Sequence, residues 1–179
     1  KTIKENPNKI FIYFSTCSIY DSSKNGSSYV NHKLKMEQIV EELANQFLIL
    51  RVSNAVGKGG NPNLLMNYLV NAFHQEKEIT VHTLATRNLI DADDVKNITL
   101  KFINENSFNK IINVAYLENF STIQILEILE KHFNKTAKTS LVKSGQSYLI
   151  SIPEAEAYFA ENKLTEKKEY LLRIIKRYY

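Results

Sequence analysis

A tyrosine and a lysine one helical turn apart can work as a proton shuttle, because a nearby ammonium favours the phenolate and makes a phenol a usable acid and base near neutrality. The chain holds the Tyr-x-x-x-Lys spacing twice, as Tyr20 with Lys24 and as Tyr29 with Lys33. With 10 tyrosines in 179 residues, about one such pair arises by chance, so spacing alone selects neither. Tyr20 and Lys24 straddle a loop rich in Ser, Asn and Gly, from Asp21 to Ser28. Tyr29 and Lys33 instead open a segment in which Val30, Leu34, Ile39, Val40 and Leu43 recur at helical spacing, so their side chains become neighbours. Taken alone, that pair also describes a surface tyrosine beside a solvated lysine. Thr16 tips the balance, since it ends the apolar run Ile10 to Phe14 and places a hydroxyl where open parallel sheets hold their ligands.

Other reactive side chains point elsewhere. Cys17 is the single cysteine, which excludes an internal disulfide and a multi-cysteine zinc site; it reads as a small buried hydrophobe rather than an extra acid or base. His32, His74, His82 and His132 share no ligand spacing with Cys or carboxylates, so no metal site is expected. Gly57-Lys58-Gly59-Gly60 follows a strand but lacks both phosphate-loop spacings and reads as an ordinary loop. Lys167, Lys168, Arg173, Lys176 and Arg177 surround apolar residues at helical spacing near the C-terminus. This pattern predicts a docked helix with a solvated basic face, in preference to a nucleic-acid-binding surface.

The positioning elements follow from periodicity. Ile10–Phe14 reads as a strand buried on both faces, 28–44 as an amphipathic helix and Phe47–Val52 as a second strand. Strand, helix and strand in that order predict a parallel α/β sheet. Pro62 opens a helix running to about Gln75, Ile79–Val81 and Leu89–Ile90 are short strands, and Asp91 to Asp94 start a helix to about Ile103. Ile111–Val114 is another buried strand, Ser121 to Gln124 is a capping box, and 165–179 is a final helix. A composition of 44% hydrophobic and 23% charged residues suits one compact domain with a real core, and the formal charge of +4 selects no partner. No apolar run nears the roughly 18 residues of a membrane span, and a reducing, cytoplasmic setting is expected. The chain opens on Lys1, and its first methionines, Met36 and Met66, fall inside patterned segments. Its natural start is therefore expected upstream.

With these residues in place, the chain resembles the extended short-chain dehydrogenase/reductase family, the NAD-dependent epimerase/dehydratase group. Phe14-Ser15-Thr16-Cys17-Ser18-Ile19-Tyr20 is similar to that family's Ser-Ser/Thr-x-x-Val-Tyr-Gly strand end, and Tyr29-Val30-Asn31-His32-Lys33 to its Tyr-x-x-x-Lys. Leu50-Arg51-Val52-Ser53-Asn54-Ala55-Val56-Gly57 resembles Leu-Arg-x-x-Asn-x-x-Gly, and 87–95 resembles Arg-Asp-Phe-Ile-x-Val-x-Asp-Val. Ile112-Asn113-Val114-Ala115 and the Ser-capped helix after Phe120 complete five matches in family order over about residues 10 to 133. The resemblance implies that Thr16 hydrogen-bonds the reacting oxygen, Tyr29 passes the proton, and Lys33 holds the nicotinamide ribose while tuning Tyr29. It implies NAD or NADP as cofactor, and a nucleotide-sugar substrate with Asn54 beside it and Arg87 on its diphosphate.

The departures shape the expectation. The Gly-x-x-Gly-x-x-Gly loop of the first half of the dinucleotide fold is absent from the 179 residues. Asp21 stands for the usual Gly, Lys58 for a common Pro, and the link from Thr16 to Tyr29 is short. Cys17-Ser18 replaces the Asp-Glu pair of sugar 4,6-dehydratases, so epimerisation or carbonyl reduction is expected rather than elimination. The expected architecture is α/β: the second half of a Rossmann-like parallel sheet at 1–57, then a smaller α/β substrate-binding region at 58–179 that returns elements to the sheet. No nucleic-acid or membrane partner is expected, and self-association, if any, would give a homodimer. The rival is a noncatalytic module that keeps Thr16, Tyr29 and Lys33 without holding a dinucleotide.

Overall fold

A computed structural model describes residues 2–179; Lys1, on which the expected upstream start rests, lies outside the described residues. The polar leader before the first strand contains one helical turn, α1 (Thr2–Glu5), and strand β1 runs from Ile10–Thr16. Two 3-10 turns follow, Cys17–Tyr20 and Ser22–Lys24, the second of them inside the stretch that composition assigns to loop. Each is capped by a side-chain oxygen: Thr16 accepts from the Ser18 N–H, and Asp21 from the Ser23 N–H. The short Ser, Thr and Asp side chains thus organise local backbone that has no ladder partner.

Helix α2 (Ser28–Leu43) starts where Ser27 accepts a hydrogen bond from the Val30 N–H, and it delivers the chain to β2 (Gln46–Val52). β1 and β2 pair in parallel with Ile12 beside Leu48, and β7 (Lys110–Val114) returns from much later in the chain to pair with the far side of β2, Leu50 beside Ile112. All three strands stop at one edge, where Thr16 stands beside Val52 and Val52 beside Val114.

β1 corrects one expectation. Only Ser15 and Thr16 are buried along it, and Phe14 is half exposed, because among the described residues β2 is its sole strand neighbour. An all-apolar run signals a strand made for burial on both faces, but the number of neighbours is a tertiary property.

The remaining elements form smaller sheets and helices around the same core. β3 (Asn54–Val56) pairs in parallel with β6 (Leu89–Asp91), with β5 (Thr86–Arg87) just before β6. β4 (Ile79–His82) pairs in parallel with β9 (Thr139–Val142), and β5 is antiparallel to β8 (Phe120–Ser121). Helix α3 spans Leu65–His74 rather than starting at Pro62, because Asn61 accepts a hydrogen bond from the Asn63 N–H in a side-chain-closed turn that postpones the helix. α4 (Ala92–Asn104) is capped by Asp91, and α5 (Thr122–Phe133) carries the reciprocal capping box of Ser121 and Gln124. α6 (Pro153–Glu161), with Pro at its first position, is an element the sequence reading did not assign, and α7 (Lys167–Tyr178) begins two residues later than expected.

One apolar cluster joins Leu48, Leu50, Ile112 and Val114 of the main sheet to Ile98, Leu129, Phe159, Leu171 and Ile174 of the surrounding helices. At its centre Tyr116 stacks on Tyr170 with ring centroids 3.8 Å apart, and meets Phe159 edge-on at 5.3 Å. Each fully buried aliphatic side chain here stabilises by about 1.5–3 kcal/mol. Gly57 has a packing reason: a Cβ at that position would stand 2.9 Å from the Ala92 Cβ, so only glycine lets the loop after β3 meet the start of α4.

α7 corrects a second expectation. Its apolar stripe, Tyr170, Leu171, Ile174 and Ile175, is buried as predicted, but part of its basic face is docked rather than solvated. Arg173 pairs with Asp94 at 2.5 Å, Arg177 pairs with Asp93, and both guanidinium groups lie 3.5 Å from the buried Asp91. Acids that look like helix-start charges in the sequence serve as the seat for a helix about 80 residues downstream. No helix among the described residues is long and apolar enough to cross a membrane.

Candidate active site at the strand ends

Thr16 ends β1 at the edge where all three parallel strands stop, and it is buried. Its Oγ1 accepts from the Ser18 N–H at 3.1 Å, which leaves the hydroxyl proton free to donate. Tyr29 and Lys33 stand in the first two turns of α2, as their spacing predicts. Lys33 Nζ lies 5.9 Å from the Tyr29 ring centroid and 5.0 Å from that of Tyr13, and it donates to the Phe14 carbonyl at 2.8 Å. That bond ties the helix carrying the Tyr-Lys pair to the strand carrying Thr16. The Tyr29 ring is half exposed, and among the described residues its hydroxyl has no hydrogen-bond partner. No hydrogen bond joins Tyr29 to Thr16; what the fold brings together is Lys33 and the last residues of β1.

Asn54 and Arg87 sit at a second junction built around Asn88. The buried Asn88 side chain accepts from Ser53 Oγ at 2.9 Å and from the Tyr116 N–H at 2.8 Å, and it donates to the Tyr116 carbonyl at 2.8 Å. Asn54 Nδ2 donates to the Asn88 carbonyl at 2.8 Å, so one end of that amide is already committed. Arg87 directs Nη1 to the Thr86 and Gln146 carbonyls, at 2.7 and 3.0 Å, and pairs with no carboxylate among the described residues. A half-buried guanidinium held by carbonyls keeps its positive charge for an anion. Because Thr16 pairs with Val52, Asn54 follows directly on the strand end that flanks Thr16.

Under Thr16 lies a polar network that the sequence reading did not single out. Glu37, four residues beyond Lys33 on α2, is buried and receives Arg51 in a forked pair, Nη2 to Oε2 at 2.6 Å and Nε to Oε1 at 3.1 Å. Ser15 Oγ also donates to Glu37. Arg51 Nη1 reaches Tyr20 Oη at 3.3 Å, and Tyr20 in turn donates to Asn113 Oδ1 at 2.9 Å. The hydrogen bond to Glu37 holds the Arg51 guanidinium well above its ordinary pKa. Tyr20, half of the rejected Tyr-x-x-x-Lys spacing, is thus part of the frame. The available sequence signal was a charge on the apolar face of an amphipathic helix at Lys33 plus four.

Cys17 Sγ donates to the Arg51 carbonyl at 2.9 Å, and burial pushes the thiol up to about 12, which leaves no thiolate for acid-base work at neutral pH. Among the described residues no three His, Cys, Asp or Glu side chains gather where a metal ion could be held.

The comparisons agree with this arrangement at the level of fold. No curated protein matches the chain. UDP-glucuronic acid 4-epimerase from Bacillus cereus, solved with UDP-glucuronic acid and NAD, superposes with a TM-score of 0.71 at 21% identity, covering 93% of this chain and 62% of that one. dTDP-glucose 4,6-dehydratase from Bacillus anthracis, solved with NAD, gives 0.72 at 15% identity, with 99% and 66% covered. RMD from Pseudomonas aeruginosa, complexed with NADPH, gives 0.69 at 14% identity, with 94% and 66% covered. The chain therefore spans 62–66% of the length of these structures and shares their Rossmann-like α/β fold. The model of the NAD dependent epimerase/dehydratase family matches residues 1–115, which takes in Thr16, Tyr29, Lys33, Asn54 and Arg87. A match over well over half of the chain, on a fold shared with enzymes of that kind, means that this chain belongs to the NAD dependent epimerase/dehydratase family.

Proposed function

We propose that the protein works in an NAD(P)-dependent epimerase or carbonyl reductase acting on a nucleotide-activated sugar, with residues 1–57 as the second half of the dinucleotide-binding domain and 58–179 as the substrate region. The observation that carries this reading is the Lys33–Phe14 hydrogen bond, which fastens the Tyr-Lys helix to the strand that ends in Thr16. The solved relatives bound to UDP-glucuronic acid with NAD, or to NADPH, support the ligand classes.

The residues present fit the ribose end of a dinucleotide. Lys33 has three N–H donors and spends one on Phe14, leaving two for vicinal hydroxyls, and the exposed Tyr29 hydroxyl is unpartnered among the described residues. They do not fit the pyrophosphate end, since no glycine loop opens a helix in these 179 residues. When bound, the nicotinamide supplies the hydride acceptor and donor. Thr16 donates a hydrogen bond to the reacting oxygen of the sugar, Tyr29 removes or returns the proton of that hydroxyl, and Lys33 holds the ribose beside Tyr29. Arg87 takes the substrate diphosphate and Asn54 a neighbouring polar group. Cys17 and Ser18 offer no acid-base pair of the kind elimination needs, so the sugar keeps its oxygen count.

The test is an assay of the full-length protein against a panel of nucleotide sugars, following nicotinamide absorbance and the stereochemistry of the product. Inverted configuration without net absorbance change identifies an epimerase, and stoichiometric absorbance change identifies a reductase. Neither outcome with any nucleotide sugar overturns the reading, and a full-length protein that also binds no NAD(P) is the noncatalytic module.

A further inference from the structure

We propose that Glu37 is a positioning residue for this site: by clamping α2 to the ends of β1 and β2 it holds Lys33, and with it Tyr29, in place against Thr16. Tyr29, Lys33 and Glu37 are spaced four apart on α2 and form one slowly drifting stripe. The stripe runs from a half-exposed phenol, through an ammonium on the Phe14 carbonyl, to a buried carboxylate. Glu37 reaches Ser15, the residue before Thr16, and the Arg51 guanidinium of the neighbouring strand, one residue before Val52, the partner of Thr16. Phe14, Ser15 and Thr16 are consecutive, so a single strand end receives the helix at two successive turns. Arg51 and Tyr20 carry the clamp on to Asn113 of β7.

The chemistry suits alignment better than adhesion. A buried ion pair is weak evidence for stability, because desolvating both charges offsets most of their attraction, and apolar replacements are often neutral or better. A forked guanidinium–carboxylate pair fixes direction as well as distance. Apolar contacts between a helix and a sheet tolerate small slides, whereas this pair does not. Its loss lets α2 move along β1, and an error of about 1 Å in the placement of a reacting group costs on the order of 10²-fold in rate.

The catalytic consequence rests on the reaction proposed above; the placement of Lys33 does not. The experiment therefore reads both. The triple variant Ser15→Ala, Glu37→Leu, Arg51→Met removes Glu37 and both of its polar partners together while Tyr20 keeps its bond to Asn113, and it should melt no lower than the parent. In the folded protein, acetylation of Lys33 by an amine-reactive reagent is followed by mass spectrometry against Lys35 on the same helix. Freed from Phe14, Lys33 should label about fivefold faster relative to Lys35, the population factor of one net hydrogen bond. In the full-length protein the same variant should lose at least about tenfold in kcat with KM within about twofold, the signature of misplaced chemistry rather than lost binding. Unchanged Lys33 labelling in the folded variant overturns the proposal. So does unchanged kcat when the parent is active. If the parent transfers no hydride with any nucleotide sugar, the reaction falls and the labelling alone decides the role of Glu37. Should the triple variant fail to fold, Glu37→Gln keeps the side-chain length and removes the charge. Both readouts must then move the same way by a smaller factor, and no movement overturns the clamp.

Discussion

Tyr29 carries the proposed proton transfer on a ring that is half exposed, with a hydroxyl free of protein partners among the described residues, so its chemistry can be removed without disturbing the fold. Tyr29→Phe in the full-length protein should reduce the proposed turnover by about 10²-fold or more, the usual contribution of a general acid or base. Its melting temperature and NAD(P) affinity should stay at the parent values. Steady-state kinetics with a thermal melt check this, and near-normal turnover removes Tyr29 from the mechanism. Thr16, by contrast, is buried and caps the turn at Cys17–Tyr20, so its substitution mixes structural and chemical losses. Tyr29 is the cleaner probe. The Tyr29–Lys33 pair was legible in the sequence because helical spacing enforces proximity between residues four apart. Glu37 was not, because its value depends on Arg51 and Ser15, which only the strand pairing brings to it.

Among the elements, α5 shows how fully a local rule can specify a boundary. Ser121 Oγ accepts from the Gln124 N–H at 3.1 Å and Gln124 Oε1 accepts from the Ser121 N–H at 3.0 Å, satisfying two helix-end donors reciprocally. Ser121→Ala should therefore destabilise the protein by about 1 kcal/mol. Denaturant titration measures it, and a change below the error of the midpoint would show that tertiary packing alone sets the start of α5. Boundaries governed by a competing turn were less legible. Pro62 is welcome at a helix start, but the Asn61 turn delays α3 to Leu65. The second strand of a distant pair was harder still: β9 has no strong periodicity of its own and exists because β4 pairs with it from about 60 residues away. α6 was missed for a similar reason, since its nine residues bury only Ala155, Tyr158 and Phe159.

The core as a whole depends on tyrosines buried around α7. Burial pushes the phenols of Tyr116, Tyr158 and Tyr178 up to about 12, and that of Tyr170 higher still. A phenol whose folded pKa exceeds its unfolded value of about 10 stays protonated longer in the native state. The native state then binds more protons than the unfolded chain, and stability falls as pH rises. The tyrosine contribution should be fully present below about pH 10 and be lost progressively between about pH 10 and 12. Urea midpoints across that range should decline, and Tyr178→Phe should make the decline shallower. An equally steep decline in the variant would place the alkaline transition elsewhere. A further expectation concerns the dinucleotide: the 179-residue chain by itself should bind neither NAD nor NADP measurably. Two charge-assisted hydrogen bonds from Lys33 contribute about 3–6 kcal/mol together, which falls short of the about 4 kcal/mol net that millimolar affinity needs once at least about 4 kcal/mol of lost ligand freedom is added. Micromolar binding in titration calorimetry would show a complete site without a glycine loop.

What the sequence alone determined follows from short-range rules. Helical spacing placed Tyr29 with Lys33, the capping box started α5, and the strand–helix–strand order with motifs in family sequence indicated a parallel α/β sheet. These depend on residues a few positions apart, whose geometry the backbone itself dictates. Tertiary structure alone decided the rest. The return of β7 to β2, the half-exposed state of β1, the docking of Arg173 and Arg177 on Asp91, Asp93 and Asp94, and the clamp of Glu37 on Ser15 and Arg51 all join separate elements. A charge reads the same in sequence whether solvated or paired. Only the partner that packing brings to it decides between a free surface cation and a buried hinge of the site, because burial makes an unpaired charge too costly to keep.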